Sequence, residues 1–412
     1  MCLFCIAFKF RMGNEQSSRR QTHDMMFDTF MYAPVSTHRT EADHSSRFIQ
    51  DDVPSLMSIK KNEHLLKTAY RGVWSMEHSM TLGPIARIGQ CHVYDEEQDR
   101  LIIAYGFTQN GQYLNDMWSY DITTAGWKCI TNSLLSPRQY PSAVLIGREM
   151  YIFGGVHEIK FYADFHRVNI DTGKVEYIET EGESPCPRTS PMLFVKNNII
   201  YLWSGYDGRA HGGVYSIDIH DIINVDLNQN NYQKPKWHRF QISHTGLPAP
   251  AYCAFKDRYF VFGGIDGSPI AQFIPEKGEF DPFPCTGTEP STELSRPSLI
   301  AADEYIFLIG GEANIDFMHI FALDVKRKWW FAFHVRPDNS TLSVADGFVN
   351  KLGLFMLPRE HSAAVVYSKK KRSIISIMGS RMIEPPPIFK IDLGEALASV
   401  HLRSDMIEML VL

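Results

Sequence analysis

Short apolar runs that stop at glycine recur through the chain. LIIAYG ends at Gly106, MYIFGG at Gly155, IIYLWSG at Gly205, YFVFGG at Gly264, YIFLIGG at Gly311 and SIISIMG at Gly379, at intervals of 49, 50, 59, 47 and 68 residues. Runs of this length bounded by turn residues predict β-strands. A second marker keeps the same phase ahead of each run: Pro84-Ile-Ala-Arg87, Pro137-Arg138, Pro187-Arg188, Pro248-Ala-Pro250, Arg296-Pro297 and Pro358-Arg359. Between marker and glycine lies another apolar stretch (SAVLI, PMLFV, SLIAA, SAAVVY), set off by hairpin turns such as IGRE, KNN and KKKR. After the glycines comes an apolar segment closing on aspartate, at Asp121, Asp171, Asp218, Asp324 and Asp392, followed by an aromatic strand such as GWKCI, KWHRF or KWWFAF. The fourth copy is the weakest, with no clear aspartate after AQFI.

Four short strands repeating about every 50 residues predict an all-β fold of propeller type. The order Pro-Arg, apolar strand, Gly-Gly, Asp, Trp resembles the kelch repeat and covers residues 75–393. Six copies imply a six-bladed kelch-type β-propeller. EMYIFGGVH alone could open a dinucleotide site, but HEIKFYADF follows, with neither a third glycine nor an amphipathic helix. The glycines Gly106, Gly154, Gly155, Gly205, Gly263, Gly264, Gly310, Gly311 and Gly379 are therefore expected to turn the backbone and let blades approach closely. Trp127, Trp237 and Trp329 are expected to fill space between blades.

The propeller is expected over residues 71–393, preceded by a flexible arm (1–70) and followed by a short helical tail (394–412). Blade six has only three strands before that tail. GVWSMEHSM, residues 72–80, is predicted to supply the fourth and close the ring, which removes an exposed sheet edge. Two insertions account for the long intervals. HDIINVDLNQNNYQKPK falls between the third and fourth strands of blade three, and 334–357 falls between blades five and six on the side of the Gly-Gly loops. Lys369-Lys370-Lys371-Arg372 reads as a solvated hairpin turn. Met12-Gly13-Asn14-Glu15-Gln16-Ser17 matches the N-myristoylation pattern, with Gly13 as acceptor only if translation starts at Met12. Membrane contact is expected only in that case.

A net charge of -6, spread over both signs, provides no basic footprint for nucleic acid. Seven scattered cysteines suit a reducing, cytoplasmic setting, and the lone Cys2-Cys5 pair has no second half to complete a zinc site. No phosphate loop, GxSxG elbow or HExxH motif is present, so no catalytic residue, cofactor or metal site is assigned. The kelch resemblance implies a monomeric interaction module, a scaffold or adaptor rather than an enzyme. Its recognition face would use residues just past each marker and each glycine pair: Gln139, Tyr140, His157, Thr189, Tyr206, Asp207, Arg209, Tyr252, Asp266, Arg296, Asn314, Glu360, His361 and Arg381. The expected partner is a protein or peptide, such as a ubiquitin-ligase substrate, although residues 1–70 show no BTB or F-box segment. Actin binding is the alternative, and a metal-dependent enzyme on a kelch-type propeller, as in galactose oxidase, is a more distant one.

Overall fold

The computed structural model describes residues 72–223, 234–240, 246–247, 249–264, 267–292, 294–350 and 354–393. The arm with Gly13, the tail and Asp266 lie outside them. Six antiparallel sheets follow one another along the chain. Blade 1 comprises Cys91–Asp95, Arg100–Ala104, Met117–Asp121 and Gly126–Thr131; blade 2 comprises Ser142–Ile146, Glu149–Phe153, Phe165–Asn169 and Val175–Tyr177. Blade 3 uses Met192–Lys196, Ile199–Trp203, Val214–Asp218 and Lys236–Phe240, with a helical turn, Ile219–Ile223, opening the predicted insertion. Blade 4 uses Ala251–Phe255, Arg258–Gly263, Ser268–Ile274 and Glu279–Pro282, and blade 5 uses Ser298–Ala302, Tyr305–Ile309, Ile320–Asp324 and Trp329–Phe333.

Blade 6 draws Ala364–Ser368, Ser373–Ile377 and Ile388–Asp392 from one end of the propeller sequence and Gly72–Glu77 from the other. Trp74 pairs with Ile391 in an antiparallel ladder, so the predicted closing strand is in place. The innermost strands of blades 1 and 6 touch, and the Gly379 amide of blade 6 donates to the Arg87 carbonyl of blade 1 at 3.2 Å. The chain belongs to the all-β propellers. Blades 3, 5 and 6 carry a further short parallel strand on the outside, Glu181–Gly182, Thr286–Gly287 and Val335–Pro337, each reaching over from the preceding blade.

The second strand of each blade is mainly apolar because both of its faces are covered. In Arg100–Ala104, Leu101 and Ile103 pack with Ala364, Ile375 and Ile388 of blade 6, while Ile102 and Ala104 pack with Met150 and Ile152 of blade 2. The two-residue period of a strand thus sends alternate side chains to opposite neighbours. Burial of each such side chain contributes about 1.5–3 kcal/mol. Trp127 and Trp237 are buried as expected. In blade 5 the equivalent residue is Trp330, paired with Leu323 as Trp127 is with Tyr120, and it is Trp330 that is buried. Trp329 points to the other face and stacks on Phe331 at 5.0 Å.

The glycine pair does what its sequence context predicts. Gly154 has φ of +77°, and a Cβ there would stand 2.5 Å from the Arg188 carbonyl oxygen of blade 3. Its neighbour Gly155 donates its amide to that same carbonyl at 2.9 Å. Gly106 does the same to Arg138, and Gly311 to Glu360.

The marker arginines are structural in half of the ring. Arg87, Arg138 and Arg188 are wholly buried. In each, Nε donates to the carbonyl two residues earlier (Ile85, Ser136, Cys186), and Nη1 donates to the carbonyl preceding the last glycine (Tyr105, Gly154, Ser204), at 2.9–3.1 Å. Arg87 also pairs with Asp116, and Arg138 with Asp164 at 2.6 Å. The corresponding slot holds Leu294 in blade 5 and Glu360 in blade 6, each against that blade's own second glycine as the arginines are against theirs.

Two residues past the slot the backbone is left-handed in every blade: Gly89, Tyr140, Ser190, Ala249, Arg296 and Ser362 have φ between +46° and +70°. That places Leu247 in the slot of blade 4. Arg296 and Arg359, read from sequence as markers, therefore stand elsewhere: Arg296 is at the left-handed position and Arg359 is one residue ahead of the slot.

Candidate functional site

The marker segments lead into the first strands, and the glycine loops leave the second strands. Because those strands run antiparallel, both sets of loops lie on one face of the ring. Bridges such as Ile88 to Phe107 and Thr189 to Tyr206 tie them together. The insertion between blades 5 and 6 is on this face too: Phe355–Pro358 pairs with Phe317–Met318 of the blade 5 glycine loop and with Phe348–Val349.

The first strands surround a central channel of about 660 Å³. At its loop-face end Arg296 reaches across the ring. Its Nη1 donates to the Tyr140 hydroxyl of blade 2 at 3.1 Å and to Ser362 Oγ of blade 6 at 3.4 Å, and its Nη2 meets Glu312 at 2.6 Å. Tyr140 and Arg296 thus come together, as a brace across the mouth. His361 stands beside them, and burial, with Arg296 and Arg359 nearby, holds its imidazole down to about 3. Tyr252 lines the channel wall from the innermost strand of blade 4, and burial pushes its phenol up to about 12.

Other candidates turn inward. Thr189 is wholly buried with its hydroxyl on the Tyr206 carbonyl, and Gln139 is buried with its backbone bridged to Val156. Both fasten loops and present no surface, because a residue directly beside the slot lies beneath the glycine loop. Glu360 accepts from Ser380 Oγ at 2.7 Å and from the Arg381 amide at 2.9 Å, and its burial raises its pKa.

The residues that do reach solvent are Arg209, with its side chain 80% exposed, together with Asn314 and Arg381. His157 is half-buried, bonded through Nδ1 to the Pro137 carbonyl and stacked on Tyr113 at 4.2 Å, and Tyr113 in turn lies 4.7 Å from Phe107. Tyr206 and Asp207 are half-buried in the blade 3 loop.

Sequence reasoning missed the apolar tips of the same face. Ile159 is 87% exposed, Ile85 52% and Ile383 38%. They follow one another around blades 6, 1 and 2: the Ala86 amide donates to Glu384 at 2.6 Å, and the Glu158 amide to the Tyr113 hydroxyl at 3.0 Å. The available signal was a single isoleucine between Glu158 and Lys160 in a polar hairpin, where no strand partner could cover it. Also missed was a group of metal-type donors in blade 3, Cys186, Asp207 and His211, whose donor atoms all lie within 4.8 Å of one another. Their spacing in sequence matches no motif, since the loop between Gly205 and Val214 folds back on the marker segment.

Comparison with known proteins agrees with this architecture. Residues 55–264, just over half of the chain, match the family described as the KLHDC2/KLHL20/DRC7 kelch-repeats domain, and the chain belongs to that kelch-repeat family. It is 23% identical over 256 residues to the leucine-zipper-like transcriptional regulator 1 homolog of Drosophila melanogaster, covering 54% of this chain and 24% of that protein. Tip elongation aberrant protein 1 of Schizosaccharomyces pombe is 24% identical over 43% of this chain and 16% of its own length. Human kelch domain-containing protein 3 is 26% identical over 40% and 44%. The chain thus spans less than half the length of each of these relatives. Among the described residues no helix is long and apolar enough to cross a membrane.

Proposed function

We propose that the protein is a non-catalytic interaction scaffold or adaptor that binds a protein or peptide on the loop face, chiefly across blades 6, 1 and 2. One observation carries this reading: Ile383, Ile85 and Ile159 stand exposed at neighbouring loop tips of a rigid ring, flanked by Arg381 and the Phe107, Tyr113 and His157 rings. Apolar anchors ringed by cationic and aromatic groups are the composition of interaction hot spots. The partner is a protein in a cytoplasmic setting, which the free thiols of the described cysteines support. A ligase substrate and actin are the two candidates.

Affinity purification with the full chain and with Ile159→Arg, Ile383→Arg, Arg209→Ala and Arg381→Ala tests the face. The isoleucine variants are expected to lower recovery of the wild-type partner at least about tenfold, the loss of one hot-spot residue. Equal recovery from all variants would remove the loop face from consideration. Cosedimentation with filaments, run in parallel, separates actin from a substrate.

A further inference from the structure

Cys186, Asp207 and His211 are brought together by the blade 3 loop. The Cys186 sulfur lies 3.5 Å from His211 Nδ1 and 3.8 Å from Nε2, and Nε2 lies 2.9 Å from Asp207 Oδ1. Arg209 approaches the same carboxylate oxygen only at 4.0 Å. A tetrahedral zinc ion, at about 2.3 Å from sulfur and about 2.0 Å from nitrogen and oxygen, sets its ligand atoms roughly 3.3–3.6 Å apart. The spacing through Nε2, 3.8 Å to sulfur and 2.9 Å to oxygen, brackets that range.

A second, independent feature concerns Arg188. In blades 1 and 2 the buried marker guanidinium is matched by an aspartate immediately before the third strand, Asp116 and Asp164. Blade 3 has Gly213 at that place, before Val214–Asp218, so the carboxylate is missing. Instead Arg188 Nη2 donates to the Cys186 sulfur at 2.9 Å. Blades 1 and 2 have Ile85 and Ser136 where blade 3 has Cys186. The wholly buried Arg188 guanidinium thus has two carbonyls, the Cys186 sulfur and the Tyr215 ring as partners, and no paired carboxylate among the described residues. A metal ion binds cysteine as the thiolate and displaces its proton to solvent. The coordinated sulfur then supplies the negative partner that the other two blades provide as carboxylate, and the N–H···S bond orients it as an outer-shell group does.

We infer that Cys186, Asp207 and His211 form a mononuclear zinc site in the blade 3 glycine loop. The mixed sulfur, nitrogen and oxygen set suits zinc over magnesium or calcium, which take oxygen ligands. Three protein donors leave a fourth position for water or for a donor from a docked protein. Bound metal would also clamp the loop that presents Arg209 to the marker segment.

The test uses the full chain, loaded with zinc and dialysed, and in parallel with cobalt. Wild type is expected to retain about one equivalent of zinc beyond a Cys186→Ser variant, and the cobalt form to show thiolate-to-metal charge-transfer absorption that Cys186→Ser abolishes. His211→Ala should weaken zinc binding by more than about 100-fold, beyond the loss of an outer-shell group. Circular dichroism checks that each variant is folded; if Cys186→Ser is not, Asp207→Asn and His211→Ala carry the test. Retention of no more zinc by wild type than by the folded variants overturns the site. So does a cobalt charge-transfer band that persists in folded Cys186→Ser, which would assign the metal to other cysteines, or cobalt affinity unchanged in folded Asp207→Asn and His211→Ala.

Discussion

Blades 1 to 3 and blades 4 to 6 solve the same packing problem in different ways. In the first half the slot behind the glycine pair holds a buried arginine that satisfies two carbonyls, and in two of the three blades an aspartate balances its charge. In the second half the slot holds Leu247, Leu294 or Glu360, and the place of the aspartate in blade 5 is taken by His319, which burial and the neighbouring His334 hold down to about 3. A buried charge pair and an apolar residue are near-equivalents in stability when each is complete. What every blade keeps is the left-handed turn before its first strand and a positive-φ glycine after its second, Gly106, Gly155, Gly205, Gly264, Gly311 and Gly379; the residue before that glycine is Tyr105, Ser204 or Met378 in three of them.

The comparison breaks most severely if the ring is opened. Deleting residues 72–77 removes the outer strand of blade 6, with Trp74 and its packing on Phe355 and Phe389. The expected result is loss of cooperative unfolding and aggregation through the exposed edge; an unchanged melting temperature would refute closure. Next in size is the charged slot. Arg138→Leu leaves Asp164 buried without its guanidinium and is expected to cost about 3–5 kcal/mol in denaturant titrations. Adding Asp164→Asn should recover more than half of that, since the pair then approaches the uncharged arrangement of blade 5. Equal destabilisation by the single and double variants would show that the two carbonyl bonds of Arg138, not its charge pair, are what matters.

The glycine contact, common to both halves, should matter in blade 5 as in blade 2. Gly310 has φ of +66°, and an added Cβ would overlap the Glu360 carbonyl of blade 6, so Gly310→Ala is expected to cost about 2–4 kcal/mol. Gly111, also at positive φ, has nothing within 4 Å, and Gly111→Ala should cost only about 1 kcal/mol.

The smallest effect is on acidification. Burial pushes His334 down to about 4 and His319 to about 3, below the unfolded value of about 6.5, so their contribution is full above that value and is lost as pH falls through the folded values. Burial works against the Asp164 charge, but the bonds from His166 and Arg138 hold its carboxyl down to about 2, so its contribution persists above about pH 4 and fades only as pH falls towards 2. Amide-exchange protection around 317–334 should therefore fall between pH 6.5 and 4, and burial of His166 beside Asp164 adds a loss of the same sign in blade 2. His166→Phe should remove the blade 2 loss and leave that around 317–334; unchanged pH dependence in both places would refute the assignment.

Much of this was legible in the chain. The six glycine runs, the insertions in blade 3 and before blade 6, the Lys369–Arg372 turn and the closing strand at Trp74 all follow from short-range pattern and from the need to leave no open edge. Candidate site residues were legible only in part. Arg209, Asn314 and Arg381 reach solvent, but Thr189 and Gln139 are covered, since exposure of a loop residue depends on how the neighbouring loop lies over it. The arginine markers misled in blades 5 and 6: a proline and an arginine side by side do not say whether the arginine is in the slot, one residue before it or two after.

The sequence by itself determined the repeat, the number of blades and the strands within each, because strand period, glycine and turn chemistry act over a few residues. Only the tertiary structure decided which arginines are buried, that Arg296 braces the channel mouth to Tyr140, that Trp330 and not Trp329 enters the core, and that Cys186, Asp207 and His211 meet. Those outcomes depend on contacts between residues 16 to 156 positions apart in the chain, and such distances are set by the closing of the ring and the folding of its loops, on which local pattern has no hold.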